Sequence, residues 1–399
     1  MIVGTPHTHA SIAKNVMDRN FYLTTLETKH TSDITHIIFK NPFTFTVADT
    51  ELKCWDLSTR TCKWTYSPTQ PGVNWEGFVR IIEGRLVCTG LRKDTLKGTI
   101  HILSEQGAPM AVITADIALS TVCVVRNRIF AVLNAQHIVE FDLDGCLLNM
   151  ISSVILGSNM MVANERFLVR IDGDRVLSYD RKYFYEQKAI TLKFDKCKSL
   201  DDDAKQVYVN CVTLVGETLY CGLRDTSTSG LAPDCIAVDL NQGKLTENEY
   251  RVVGERPTDK TKRPCVTKCF IDRDQLFISF DNGPVIAKDT ITRMENILQP
   301  QEYDKDKHKA ADDIAVSGDI LAFLIENEIR LVNHKTITNE KMTRSIDLEK
   351  KKHSRNIVFE GGRLIYTIAK TIFIRDYRVT HTGVKSANGW FGYGAIAPT

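Results

Sequence analysis

The chain has 399 residues, with 51 lysines and arginines against 49 aspartates and glutamates, a formal net charge of +2. Apolar residues make up 43% and charged residues 25%, values typical of a globular protein, which excludes wholesale disorder. The near-neutral balance excludes a strong long-range field for nucleic acid or an anionic membrane. The polar stretch Met1–Asn20 does not resemble a signal peptide, so we expect a soluble protein without membrane insertion.

Cysteine usage indicates a reducing compartment. The eleven cysteines are an odd number, and most lie inside apolar runs such as Thr121–Val125, where cysteine packs as a small hydrophobe. There is no C-x-x-C pair, and Cys265 and Cys269 have no histidine near them. The sequence therefore predicts a cytoplasmic protein with free thiols, no metal and no cofactor.

In chain order, one short pattern recurs eight times: an apolar run, a polar or glycine-bearing turn, and a second apolar run. Each copy has the composition of a β-hairpin. The copies are Ile38–Phe45, Ile81–Val87, Val124–Phe130, Met161–Leu168, Leu214–Tyr220, Phe270–Phe277, Ala315–Leu321 and Val358–Ile365.

The spacing of these hairpins predicts the fold. Taking the first strong apolar residue after each turn, the copies are 43, 43, 38, 52, 57, 44 and 44 residues apart. These positions are Phe43, Leu86, Ile129, Phe167, Leu219, Leu276, Ile320 and Leu364. A period of about forty residues is typical of four strands per propeller blade. We therefore predict an all-β, closed β-propeller of four-stranded antiparallel blades, with eight blades favoured over seven. A β-sandwich is the alternative, but it requires no such period.

The first unit, residues 26–66, resembles a WD40 repeat. The segment Leu26–Ile34 is similar to the start of that repeat, although Lys29 stands where glycine is usual. The segment Asp49–Asp56 resembles its closing strand. The other units are degenerate. The tryptophan before the aspartate is replaced there by Phe141, Tyr179 and Val238.

The resemblance implies a structural hydrogen-bond network in the first unit. Its members are His30, Thr46, Asp49 and Trp55. In the family pattern a buried aspartate is held by the histidine, and the histidine and indole lock the blade. We therefore expect Asp49 to be buried beside His30.

The chain ends are predicted to close the ring. Phe21–Leu26 is a strand without a hairpin partner, and the last unit, Asn356–Asp376, has three strands at most. The N-terminal strand can therefore complete the last blade and remove the open sheet edges. We divide the chain into an extension at residues 1–20, a single propeller at 21–378, and a tail at 379–399 rich in glycine and aromatics.

Two similar loops are candidate partner-binding elements. They follow the second strands of units two and five and carry Arg92 with Lys93, and Arg224. Such loops lie on one face of a propeller near the channel mouth, where arginine can donate two hydrogen bonds to a carboxylate of a partner. Alternatively, the arginines pack on neighbouring blades or pair with Asp94 and Asp225.

Two further features are candidate partner contacts. Trp75 lies in the link between units one and two, where it either contacts a partner or caps blade two. The segment Arg251–Lys268 is basic and is either a loop that docks an acidic partner or a solvated insertion. Its candidate residues are Arg256, Lys260, Lys262 and Arg263.

No catalytic motif occurs in the sequence: it has no Gly-x-Ser-x-Gly, no His-Glu-x-x-His and no phosphate loop. We therefore expect a non-catalytic scaffold that presents loops to a protein or peptide, the role that the WD40 resemblance implies. We expect a monomeric ring within a larger complex and no nucleic-acid partner. The alternatives are a propeller enzyme of hydrolase, lactonase or lyase type, and a bacterial effector that mimics eukaryotic repeats.

Overall fold

The structure is a computed structural model that describes most of the chain. It covers residues 8–19, 21–68, 73–92, 95, 97–114, 121–133, 137–152, 160–172, 175–181, 186–192, 207–225, 235–250, 265–280, 285–291, 295–297, 313–325, 328–334, 343–347 and 356–378.

Within these ranges the chain forms one helix, α1 (His9–Met17), and eight four-stranded antiparallel sheets, which are the blades. Blade 1 comprises β2 (His36–Lys40), β3 (Phe43–Val47), β4 (Leu52–Asp56) and β5 (Thr61–Tyr66), and blade 2 comprises β6 (Val73–Ile82), β7 (Arg85–Arg92), β8 (Gly98–Ser104) and β9 (Pro109–Thr114). Blade 3 comprises β10 (Val122–Val125), β11 (Arg128–Leu133), β12 (His137–Asp142) and β13 (Leu147–Ser152), and blade 4 comprises β14 (Met161–Ala163), β15 (Phe167–Asp172), β16 (Arg175–Asp180) and β17 (Glu186–Thr191). Blade 5 comprises β18 (Val207–Val215), β19 (Thr218–Asp225), β20 (Cys235–Asp239) and β21 (Lys244–Tyr250), and blade 6 comprises β22 (Val266–Asp272), β23 (Gln275–Phe280), β24 (Ile286–Asp289) and β25 (Glu295–Ile297). Blade 7 comprises β26 (Asp313–Ser317), β27 (Ile320–Ile325), β28 (Glu328–Asn333) and β29 (Thr343–Asp347). Blade 8 comprises β30 (Ile357–Glu360), β31 (Arg363–Ile368) and β32 (Thr371–Asp376), together with the N-terminal strand β1 (Tyr22–Glu27).

The predicted eight-bladed propeller is confirmed. All eight spacing positions identified in the sequence lie in the second strands of successive blades. The first strands of neighbouring blades lie beside one another around the ring. The third strand of blade 1 is buried along its whole length, whereas its outermost strand is mostly exposed. The middle strands carry apolar residues on both faces because each is covered by a blade on either side.

Closure by the N-terminal strand is also confirmed. Strand β1 pairs antiparallel with β32, in a register from Tyr22 opposite Asp376 to Glu27 opposite Thr371. Leu26 of β1 is buried in the apolar cluster between blades 8 and 1. The outer edge of blade 8 is therefore supplied by the opposite end of the chain, which joins the two ends of the ring.

Helix α1, within the predicted extension at 1–20, packs onto the propeller. Its apolar side, with Ile12 and Val16, is buried in the cluster formed by blades 7 and 8. Asn15 is also buried, and its Nδ2 donates to the Tyr377 carbonyl at 2.7 Å. A Cβ at Gly362, in the turn between β30 and β31, would lie 2.9 Å from the Ile12 side chain, so this turn leaves room for the helix.

The face that carries the hairpin turns, which we call the hairpin face, links neighbouring blades by polar contacts. These turns join first to second strands and third to fourth strands. Their inter-blade contacts are Arg363 to Asn41, Lys40 to Glu105, Arg85 to Asp144, Arg126 to Glu165 and Arg166 to Glu217. Each of these ion pairs is partly exposed and contributes less than about 1 kcal/mol to the free energy of unfolding. Together they join blades 8, 1, 2, 3, 4 and 5 in sequence around this face.

Candidate functional site

The opposite face, which we call the loop face, is where second strands end and third strands begin. Arg92 is the last residue of β7 in blade 2, and Arg224 lies one residue before the end of β19 in blade 5. Because second strands of all blades run in the same direction, both arginines lie on the loop face. Arg224 is exposed and Arg92 is half-buried.

An exposed tyrosine accompanies Arg224, and the sequence reasoning missed it. Tyr208 of β18 is directly opposite Arg224 in the antiparallel register and is 39% exposed. Directly opposite residues project on the same side of a sheet, so the side chains of Tyr208 and Arg224 leave blade 5 from neighbouring positions on one side. Both are held by paired strands rather than by a loop. In the sequence Tyr208 stands between Val207 and Val209, and this pattern was the signal for a strand whose tyrosine faces away from the two valines.

The loop at Arg92 is closed by a backbone hydrogen bond. The Arg92 N–H donates to the Lys97 carbonyl at 2.9 Å, which brings together the two sides of the connection from β7 to β8. Lys93 and Asp94 lie outside the described residues, so the suggested Arg92–Asp94 pair stays a prediction. The basic candidates of the later segment also lie outside them: Arg256, Lys260, Lys262 and Arg263.

The suggestion that Trp75 contacts a partner is wrong. Its side chain is only 6% exposed because it packs between blades 1 and 2. The indole lies edge-on to His101, with ring centroids 5.0 Å apart, and beside Tyr66 at 6.0 Å. Its backbone N–H donates to the Asp49 carbonyl at 2.9 Å. An aromatic ring at the start of a first strand meets the preceding blade, and burial there removes its apolar surface from water.

The structure brings together His30, Thr46 and Trp55 of the implied network, but not Asp49. Trp55 Nε1 donates to Thr46 Oγ1 at 2.9 Å, and Thr46 Oγ1 is 2.8 Å from His30 Nε2. His30 Nδ1 contacts Glu51 Oε2 at 3.2 Å. Asp49 is exposed, so the expectation that it is buried beside His30 is wrong. It lies in the turn after β3, whereas Glu51 directly precedes β4 and has the longer side chain.

The hydrogen-bond directions follow from this arrangement. Thr46 accepts from the Trp55 indole, so its own hydroxyl hydrogen is free to be donated to His30 Nε2. His30 then donates from Nδ1 to the Glu51 carboxylate. Burial, assisted by the nearby Lys53 charge, lowers the pKa of His30 to about 4. The imidazole is therefore neutral at pH 7, as its hydrogen bonds to Thr46 and Glu51 require.

Lys29 stands where glycine is usual in a WD40 repeat, and its backbone conformation is the one that glycine favours. It has a φ of 52°, a left-handed conformation in which glycine is the favoured residue. Its carbonyl accepts from Lys53 Nζ at 2.9 Å, and Lys53 also lies 3.4 Å from Glu51. The backbone shape that the repeat requires is thus kept with a lysine.

A second buried histidine lies between blades 1 and 2. His101 Nδ1 is 3.0 Å from the Tyr66 hydroxyl, and His101 Nε2 is 3.0 Å from Thr99 Oγ1. Thr99 Oγ1 in turn donates to the Gly90 carbonyl. Burial lowers the pKa of His101 to about 4. Both histidines with a lowered pKa thus belong to buried hydrogen-bond networks, one around blade 1 and one between blades 1 and 2.

These two histidines predict a pH-dependent stability. Their pKa values are about 4 in the folded protein and about 6.5 in an unfolded chain, so the unfolded chain binds more protons between these values. The contribution of the two neutral histidines to the free energy of unfolding is expected to be fully present above pH 6.5 and to be lost as the pH drops towards 4. Urea unfolding midpoints at pH 7.5, 5.5 and 4.5 measure this loss. The variant His101→Gln is expected to flatten the dependence, and a midpoint that is constant over this range would contradict the assignment.

No cluster of three or more His, Cys, Asp or Glu side chains among the described residues is arranged to hold a metal ion. No described helix is long and apolar enough to cross a membrane.

Comparison with solved structures is consistent with this architecture. The structure of Sqt1 from Saccharomyces cerevisiae is 13% identical with a TM-score of 0.61, covering 89% of this chain and 97% of that one. The WD40 domain of SCAP from fission yeast is 12% identical with a TM-score of 0.52, covering 90% and 98%. These neighbours and this chain share the β-propeller fold.

The same fold likeness extends to BamB from Moraxella catarrhalis, which is 14% identical with a TM-score of 0.56, covering 91% of this chain and all of that one. No protein-family model matches the sequence. No curated protein matches it by sequence. Identities of 12–14% show a shared β-propeller fold and nothing more specific.

Proposed function

We propose that this protein is a non-catalytic interaction scaffold whose loop face binds a partner protein or peptide. The observation that carries the proposal is the exposed pair of Arg224 and Tyr208 at the loop-face end of blade 5. WD40-type propellers are typical interaction scaffolds, which supports the same role. On the hairpin face, charged residues of blades 8 and 1 to 5 are engaged in contacts between blades, which favours the loop face as the surface for a partner.

The chemistry of this pair favours an acidic partner. A guanidinium donates two parallel hydrogen bonds to a carboxylate, and an adjacent phenol ring supplies flat apolar area at a low entropy cost. Because both residues are on paired strands, little backbone freedom is lost on binding. Arg92 on blade 2 supplies a second basic position on the same face. The partner of this proposal is an acidic segment that also presents apolar side chains.

The assembly state and location belong to the same proposal. Because β1 of the same chain completes blade 8, no second copy is needed to supply its fourth strand, which supports a monomeric ring acting within a larger complex. The many cysteines in apolar strands support a cytoplasmic location.

Charge reversal on the two faces tests the proposal. The double variant Arg92→Glu/Arg224→Glu is compared with Arg60→Glu/Arg273→Glu, which makes the same charge change at exposed turns of the hairpin face. Proteins captured from a lysate of the source cells are quantified by mass spectrometry. The loop-face variant is expected to recover specific partners about ten times less well, because attraction to carboxylates becomes repulsion.

The hairpin-face variant is expected to recover partners as the unaltered protein does. Equal thermal unfolding midpoints show that all three proteins are folded. Unchanged recovery with the loop-face variant, or loss only with the hairpin-face variant, would contradict the proposal.

A further inference from the structure

The inner strands of blades 5 and 6 approach each other closely. Gly222 of β19 has no side chain, and a Cβ there would lie 2.5 Å from Val266 of β22 and 2.5 Å from the sulfur of Cys211. Asn210 Nδ2 of β18 donates to the Val266 carbonyl at 2.6 Å. At Gly222, β22 therefore packs directly against the backbone of β19, beside the apolar side chains that the two blades share.

A bulge in blade 5 places two thiols together at this junction. The register of β18 with β19 shifts between Val209 and Cys211, which leaves Asn210 as the extra residue and Cys211 opposite Gly222. The Cys211 thiol donates to Cys269 Sγ of β22, with the sulfur atoms 3.4 Å apart. Cys211 is half-buried and Cys269 is buried.

We propose that Cys211 and Cys269 are a site of oxidative modification at which a peroxide produces a disulfide between blades 5 and 6. A disulfide requires its sulfur atoms at about 2.05 Å. The two sulfur atoms must therefore approach by about 1.4 Å, a movement that small rotations of both side chains supply. The two residues are on different blades, so the bond would join first strands that only non-covalent contacts now hold together.

The reaction balances with hydrogen peroxide as the oxidant. Cys211 loses its proton, and its sulfur attacks one peroxide oxygen and releases hydroxide, which leaves a sulfenic acid on Cys211. Cys269 then loses its proton, and its sulfur attacks the Cys211 sulfur and displaces the second hydroxide. The two hydroxides take up the two protons as water. Two thiols lose two electrons in total, and one peroxide is reduced to two waters.

The environment sets the order and the rate of these steps. Cys211 reacts first because Cys269 is covered by protein. The hydrogen bond to Cys269, together with burial, holds the pKa of Cys211 well above its usual range. Little thiolate is present at pH 7, so the pair stays reduced under brief exposure and oxidation is faster at higher pH.

Peptide mapping of the folded full-length chain tests the proposal. The protein is incubated with hydrogen peroxide at pH 7.5 and at pH 9, free thiols are alkylated, and digests are examined by mass spectrometry without reduction. We expect a peptide pair linked through Cys211 and Cys269, at least ten times more abundant than without peroxide and formed faster at pH 9. The variant Cys211→Ser is expected to lack it.

Two control variants sharpen the assignment. Cys146→Ser removes an exposed thiol, and Cys235→Ser removes a buried thiol that neighbours Cys269 in the same junction. Both are expected to retain the Cys211–Cys269 link. A link between Cys235 and Cys269 instead, or oxidation of Cys146 without any link between blades 5 and 6, would overturn the proposal.

A thermal measurement on the unaltered protein gives a second test. Oxidation is expected to raise the unfolding midpoint by about 3 °C, and a reductant is expected to reverse the rise. A midpoint that falls, or that rises equally in Cys211→Ser, would count against a bond between the blades.

Discussion

Deletion of residues 1–28 is expected to abolish cooperative unfolding of the propeller. The deletion removes β1, and with it the six-residue ladder to β32. It also removes Leu26 from the cluster between blades 8 and 1 and the hydrogen bond from the Thr28 N–H to the Lys370 carbonyl. Blade 8 then keeps three strands with an open edge, and the two ends of the ring are no longer joined. Thermal and urea unfolding followed by circular dichroism and tryptophan fluorescence measure the result.

A shorter deletion and two point variants separate ring closure from other effects. Deletion of residues 1–19 removes α1 but keeps β1, and is expected to lower stability while unfolding stays cooperative. Leu26→Ala is expected to cost about 2–4 kcal/mol because the side chain is 6% exposed. Leu23→Ala in the same strand, at 53% exposure, is expected to cost less than about 0.5 kcal/mol. A stable, cooperative protein lacking residues 1–28 would contradict closure by β1.

The variant Thr46→Val is expected to lower the free energy of unfolding by about 2–4 kcal/mol. The Thr46 hydroxyl lies between the Trp55 indole N–H and His30 Nε2, and valine has nearly the same shape without an oxygen. The substitution therefore leaves a donor and an acceptor without partners in a buried site, at about 1–3 kcal/mol for each. Urea unfolding at pH 7.5 measures the difference.

Thr44 provides a matched control on the same strand. Both threonines are 0% exposed, but the Thr44 hydroxyl has no hydrogen-bond partner among the described residues. Thr44→Val is therefore expected to be neutral within about 0.5 kcal/mol or to stabilise the protein. Equal losses from the two variants would show that burial of any threonine on β3, rather than the network, determines stability.

The ring could be predicted because its signals are local. Apolar runs flanking a turn form hairpins, and positions such as Leu86 and Leu364 recur at the blade period wherever a second strand is covered on both sides. Strand β1 was recognisable as a strand without a local partner in a chain whose last unit lacked a strand. Lys29 shows the limit of such patterns, since a residue other than the usual glycine adopts the same left-handed backbone.

Contacts between segments far apart in the chain were predicted less well. The resemblance pointed to Asp49, but the turn exposes it, and Glu51 reaches His30 instead. Trp75 lies in a link between units, and only the adjacent His101 and Tyr66 show that it is buried. The packing of α1 on blades 7 and 8 likewise depends on residues more than 300 positions away, such as Tyr377.

Periodic apolar runs were therefore enough to indicate strands and blades, because a hairpin forms from residues close together in the chain. The number of blades and the closing segment followed from counting these units along the chain and from the strand that the last unit lacked. The identity of the acid beside His30, the position of Tyr208 next to Arg224 and the meeting of Cys211 with Cys269 depended on register, bulges and blade packing. Such features arise when surfaces from separate hairpins are brought together, and the spacing of residues along one strand does not encode them.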